Sequence, residues 1–302
     1  MIQALVVHMS IIGIVLLLLF GKQSNRAYLL HVLSSAVFMY LVYVYIPWTT
    51  YGSAYLKYVY LVFYLLALGL SLRYTKRVVR NMAPGWVKMG GYFFKAMLLG
   101  LLIIPLLYID LSTRLEKPSK EIDLHFPFKN GNYAIVGGGN NVLLNYHIEL
   151  EQAYYHRAFD FVKLGKFGNT GLSLLQPDAL NADSYIFGDS IFSPCSGIIT
   201  TVVNDQPDHE PGKLEDFADD RANVVAIKNQ DNYIILAHFK QHTIVVDTLD
   251  LVEMGDFIGL VGNSGESSSP HLHIHVRDET NRPVEILFNG NKYIKNDIIR
   301  IK

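Results

Sequence analysis

The sequence predicts two parts: four transmembrane helices over residues 1–110, and a mostly-β domain of antiparallel sheet over 128–302, joined by a juxtamembrane linker at 111–127. Three observations predict it. Hydrophobic residues make up 50% of the 302-residue chain, and they concentrate in the first 110 positions, in four runs near the length that spans a bilayer as a helix, roughly 20 residues. After Asp110 the chain breaks into short β-rich runs separated by Gly, Asn, Asp and Pro. Near its end, His271, His273 and His275 fall at alternate positions, as side chains on one face of a strand do.

The apolar runs are Ile2–Phe20, Tyr28–Trp48, Ala54–Leu72 and Gly90–Ile109. Loop one carries Lys22 and Arg26, loop three carries Arg73, Lys76, Arg77, Arg80 and Lys88, and loop two has only Lys57. Basic loops stay cytoplasmic. Both termini and the β domain are therefore expected on the outer face of the cytoplasmic membrane, with the chain a multi-pass protein and the lipid bilayer a partner. The first run fits a cleaved signal peptide poorly, lacking a basic start and a small-residue cleavage site. Lys95 can snorkel to the inner surface, and Pro105 can kink the fourth run. His8 and His31 lie within spans without an acidic partner, so no proton relay is expected of them. The charged stretch DLSTRLEKPSKEID, with Pro118, reads as the linker.

Several function classes are excluded. A net charge of −1 gives no bulk attraction for nucleic acid. The single cysteine, Cys195, rules out a disulfide framework or a cysteine-rich metal site within one chain. VGGGNNV, 136–142, lacks the G-x-G-x-x-G spacing of a dinucleotide site, and GNSGESS is not followed by the Gly-Lys-Ser/Thr of a phosphate loop. Ser264 does not sit in G-x-S-x-G.

The β domain should contain strands at Tyr133–Val136, Phe159–Lys163, Gly197–Val203, Asn223–Lys228, Tyr233–His238, Phe257–Val261 and His271–Val276. The long loops Leu164–Phe187 and Asn204–Ala222 are functional or mobile by length. In H-x-H on a strand, both imidazoles can bind one ion, or one binds while the other addresses its water. The pair supplies at most two ligands. The best source of more is HRAFD: His156 and Asp160 can share an ion only if the backbone bends at Arg157-Ala158, because four extended residues span about 13 Å. His147 in LLNYH is the substitute ligand should His156 fail. His238 closes the apolar run ILAHF, and His242, four residues on, is expected at the surface. Asp208, His209 and Glu210 are expected on a groove rim.

HRAFDF, LAHF and GLVGNSGESSSPHLHIHV, in that order, resemble the lysostaphin-type zinc metallopeptidases that cut peptide cross-bridges of the cell wall. SPCSGIITTV, VEMGDFIGLVGNSG and PVEILF resemble the family's flanking segments, so the likeness runs from about Phe126 to Phe288. The resemblance implies one Zn2+ per chain, held by His156, Asp160 and His273, with His238 and His271 as catalytic histidines that do not ligate. It implies an endopeptidase acting on peptidoglycan stem or cross-bridge peptides. Two positions depart from the family pattern. Ala158 replaces a usual glycine at the expected bend, and His275 stands where an acidic or amide residue is common, either as a partner orienting a ligand or as a further ligand. Two alternatives stand beside this reading. One is an inactive family member that binds cell wall or activates another hydrolase; the other is a transporter or sensor whose functional part is the helices.

Overall fold

The computed structural model describes residues 9, 11–14, 35–39, 42, 46, 48–49, 52–79, 120–140, 144–172, 179–213 and 222–301. The chain divides into two compact units, residues 1–48 with 55–112, and residues 49–54 with 113–302. In the first unit a helix, α1, runs over Leu56–Val79. Tyr64 and Ala67 of α1 join Ile11, Met39, Val42 and Trp48 in an apolar cluster, within which the Tyr64 and Ser35 hydroxyls lie 3.1 Å apart.

The expectation of four transmembrane helices is corrected here: among the described residues, no helix is long and apolar enough to cross a membrane. The third run shows why. Lys57 and Arg73 bracket its uncharged part, Tyr58–Leu72. Those roughly fifteen residues rise about 22 Å at 1.5 Å each, short of a hydrocarbon core about 30 Å thick. The first two runs are described only at scattered positions, and the fourth, with Arg80 to Lys88, the linker to Ser119, His8 and His31, lies outside the described residues.

The second unit is built from twelve described strands: β1 (Glu121–Leu124), β2 (Gly131–Gly137), β3 (Phe159–Leu164), β4 (Ser190–Phe192), β5 (Gly197–Val203), β6 (Val224–Asn229), β7 (Asn232–Ala237), β8 (Leu251–Val252), β9 (Phe257–Leu260), β10 (Leu272–Asp278), β11 (Glu285–Phe288) and β12 (Ile298–Ile301). Eight form one antiparallel sheet in the order β12-β2-β3-β10-β7-β6-β5-β8. Two small sheets accompany it: β1 with β11, in parallel, and β4 with β9, antiparallel.

Alternation along the central strands gives the large sheet two unlike faces. Leu272, Ile274 and Val276 of β10, Ile234 and Leu236 of β7, and Val225 and Ile227 of β6 are wholly buried on one face. They join Phe126, Phe159, Phe161 and Phe288 in the main core, where the Phe126 ring meets Phe161 and Phe288 edge to face. Each such aliphatic side chain contributes about 1.5–3 kcal/mol by burial. The residues between them, His273, His275 and Arg277 on β10 and Tyr233, Ile235 and Ala237 on β7, face the other way. The register aligns this second face in rows. Gly137, Asp160, His273, Ala237, Val224 and Val203 sit side by side across six strands. One step along lies the row His275, Ile235, Ala226, Thr201. The core face thus fixes the other face, because a one-residue slip of β10 would exchange its histidines for its core side chains.

A candidate metal centre beside an open groove

Two short 3-10 helices, Tyr146–Glu149 and Ala153–Arg157, cover the end of this face beside β3. The second ends at Ala158, which turns to an extended conformation (φ −70°, ψ 157°) and leads into β3. The bend expected at Arg157-Ala158 is there. Its negative φ needs no glycine, which accounts for alanine at that position.

The bend brings Asp160 to the site but not His156. The His156 Nε2 lies 3.1 Å from the Leu150 carbonyl, and the adjacent Arg157 is tied to buried Glu285 at 2.9 Å. In place of His156 stands His147, from the first 3-10 helix. Donor atoms of His147, Asp160 and His273 all lie within 4.8 Å of one another, and all three residues are buried. His147 Nε2 is 3.4 Å from Asp160 Oδ2, and His273 Nδ1 is 2.9 Å from Asp160 Oδ1. These separations fit two ligands of one ion bonded at about 2.0–2.1 Å each.

The hydrogen bonds around the cluster leave lone pairs facing it. Asn145 Oδ1 lies 2.7 Å from His147 Nδ1; a proton on Nδ1 leaves Nε2 free to ligate. His273 Nε2 is 3.0 Å from His275 Nδ1. Removal from water, reinforced by His273, His147 and Arg277, keeps the His275 pKa well below its ordinary value. A neutral His275 can accept the Nε2 proton of His273 and leave Nδ1 free toward Asp160. His275 can thus orient the His273 ring. Tyr146 donates its hydroxyl to Asp160 Oδ2 at 2.6 Å. Burial opposes charge on Asp160, but His147, His271 and His273 around it prevail and hold the carboxyl well below the usual range.

Glycine is required behind the cluster. A Cβ on Gly137 would come within 2.8 Å of Asp160 Oδ2 and 3.1 Å of Tyr146. Gly137 thus makes room for the carboxylate. Fully buried Asn145 organises the same corner, its Nδ2 lying 3.1 Å from the Gly139 carbonyl and 3.2 Å from those of His156 and Ala158. Asn145→Ala should weaken metal binding about 10- to 100-fold, the usual effect of losing a partner that orients a ligand. It should also destabilise the domain, since each orphaned buried acceptor costs about 1–3 kcal/mol. Chelator competition and thermal melting measure the two effects; unchanged metal affinity would remove Asn145 from this role.

His238 and His271 flank the cluster, with rings 4.5 Å apart. Each has Nδ1 beside a backbone carbonyl, Ser264 for His238 and Ser269 for His271, both at 2.8 Å. Each therefore presents Nε2 inward, and His271 Nε2 is 3.6 Å from Asp160 Oδ1. His238 follows β7 directly, at φ +68°, a costly conformation for a non-glycine residue. The loop before β10 approaches closely enough that Gly265, at φ +71°, leaves a Cβ only 2.6 Å from Ala222. These residues open onto a groove of about 520 Å³, lined also by Tyr154, Tyr155 and Glu266. Tyr155 stands edge-on to His275 at 4.6 Å.

Asp208 and Glu210 serve as ties. The Asp208 carboxylate accepts the backbone N–H groups of Asn263 and Gln241, and Glu210 accepts that of Asn181.

Burial holds the folded pKa of His147 down to about 4 against an ordinary 6.5; Asp160 pulls it up and His273 and His271 push it down. Removal from water, aided by His271 and His273, likewise lowers the pKa of His238. Between about pH 6.5 and 4 the unfolded chain binds protons that the folded chain does not. Stability of metal-free protein should therefore fall with pH in that window, by up to about 1.4 kcal/mol per unit for each such group. Melting in chelator from pH 7.5 to 4.5 checks this; a flat profile would contradict it.

Residues 184–286 match the model of Peptidase family M23. They include His238, His271 and His273; His147 and Asp160 precede them. Among solved structures, the chain is similar to a zinc-containing peptidase from Vibrio cholerae, with 20% identity, 54% of this chain and 39% of that chain covered, and TM-score 0.33. A putative peptidase M23 from Pseudomonas aeruginosa shows 15% identity, coverage of 56% and 50%, and TM-score 0.31. The catalytic domain of lysostaphin from Staphylococcus simulans shows 20% identity, coverage of 34% and 73%, and TM-score 0.23. The chain thus spans about two fifths of the length of the first and half of the second. No curated protein matches it. Over residues 184–286, about a third of its length, the chain thus matches Peptidase family M23.

Proposed function

We propose that this domain is a zinc-dependent endopeptidase that hydrolyses peptide bonds in the stem or cross-bridge peptides of peptidoglycan. The observation that carries the reading is the joint arrangement of His147, Asp160 and His273 with two further histidines at the head of an open groove. Two imidazoles and one carboxylate suit zinc and leave a position for water. Bound there, zinc would lower the pKa of that water and polarise the scissile carbonyl.

The remaining chemistry belongs to the protein. The groove is lined on the sheet side by Ile235, Ala237, Val224 and Val203, an apolar floor that suits an extended peptide laid across the sheet. His238 and His271 are anchored through Nδ1, so Nε2 of one can take the proton of the attacking water. Nε2 of the other, protonated, can donate to the carbonyl oxygen and pass its proton to the leaving amine. Action on peptidoglycan would require the domain to lie outside the cytoplasmic membrane.

The test is mass spectrometry of fragments released from purified peptidoglycan by the zinc-loaded protein. New amino termini within the peptides, absent when a chelator is present, are expected. Full zinc content with no release of fragments would favour a cell-wall-binding member without catalysis.

A further inference from the structure

The groove face of the large sheet continues past the metal cluster. One row beyond His275 the register aligns Arg277 of β10, Tyr233 of β7 and Lys228 of β6. Arg277 lies over the Tyr233 ring at 4.5 Å and the Lys228 ammonium lies 5.3 Å from the same ring. Two cations therefore flank one aromatic side chain. Asn281 Oδ1 accepts from Arg277 Nη1 at 2.6 Å, so the guanidinium is fixed in place. A guanidinium has five N–H donors, and among the described residues no carboxylate pairs with this one. Lys228 pairs with Glu279 at 2.9 Å, but both side chains are solvent-exposed. Such surface pairs are weak and exchangeable. The row between, His275, Ile235, Ala226 and Thr201, carries no carboxylate. Two like charges on one sheet face, with Glu279 the one carboxylate paired to them among the described residues, form a ready anion site.

We propose that Arg277 and Lys228, set on Tyr233, form a subsite that binds a carboxylate of the peptide substrate. This rests on the groove being a peptide site. Arg277 is four residues from His273 along β10, about 13 Å at 3.3 Å per residue. An extended peptide covers that distance in about four residues. The ligand is thus a peptide with a free carboxylate about four residues from the bond at the metal cluster. That carboxylate comes either from the chain terminus or from an acidic side chain.

The test measures binding, without turnover, of three versions of one stem pentapeptide to zinc-loaded full-length His271→Ala protein. The first has its glutamyl and C-terminal carboxylates free, the second is amidated at the C-terminus, and the third is amidated at the glutamyl carboxyl. One of the two amidations should weaken binding about 10- to 100-fold, as expected for losing a hydrogen bond to a charged group, and that identifies the source. Arg277→Gln added to the same protein should erase the difference, and Lys228→Gln, at an exposed position, should reduce it even if the arginine variant folds poorly. Equal binding of all three peptides, no binding of any, or a penalty of full size in both variants would overturn the subsite. Failure of the hydrolytic reading looks different: protein with His271 intact would cleave none of the peptides, while the amidation penalty persisted.

Discussion

His147→Ala protein should lose tight zinc binding and all hydrolysis, whereas His156→Ala should keep both. The contrast is sharp because the two residues compete for one role in the sequence and are separated in space by the fold. His147 presents Nε2 3.4 Å from Asp160 Oδ2, with its ring fixed through Nδ1 by Asn145 at 2.7 Å. His156 is engaged with the Leu150 carbonyl and is not among the clustered donors. Removing His147 leaves one imidazole and one carboxylate, too few protein ligands for a stable zinc site. Elemental analysis of the purified variants, with peptidoglycan hydrolysis measured alongside, decides the matter. Full zinc in His147→Ala together with loss in His156→Ala would restore the ligand set expected from H-x-x-x-D.

His238→Ala and His271→Ala should retain zinc and lose activity, each by roughly 100- to 10,000-fold, the range for a proton-transfer group or an oxyanion donor. Both rings lie against the cluster and neither is needed to complete the triad of His147, Asp160 and His273. If the two act on one transition state, the double variant should lose much less than the product of the single losses. Zinc loss in His271→Ala would turn this residue from catalyst to ligand, an outcome its 3.6 Å approach to Asp160 makes worth measuring.

Much of the β domain was legible from sequence because alternation is a strong signal where one sheet face is buried. The strand expected at Gly197–Val203 matches β5 to the residue, and the histidines of β10 share a face because Leu272, Ile274 and Val276 must share the other. The short strands β1, β4, β8, β11 and β12 were not among those expected. They owe their pairing to partners far along the chain, as when β1 joins β11 in parallel, and not to local pattern. The candidate ligand His147 was harder to see than His156, since a local spacing rule favours a histidine four residues from the aspartate. Two 3-10 helices and the Arg157–Glu285 ion pair reverse that preference, and both depend on tertiary contacts. The available signal was Asn145, two residues before His147, a residue type that caps turns and orients imidazoles. The four transmembrane helices were read from hydropathy alone. In the described helix α1 the uncharged stretch between Lys57 and Arg73 is too short to serve.

The central claim is the identity of the metal centre, and anomalous X-ray scattering from a crystal of the zinc-loaded protein, collected at the zinc edge, tests it most directly. A single peak bounded by His147 Nε2, the Asp160 carboxylate and His273 Nδ1, with His238 and His271 outside bonding distance, is the predicted result. A peak at His156, or none within reach of Asp160, would contradict it.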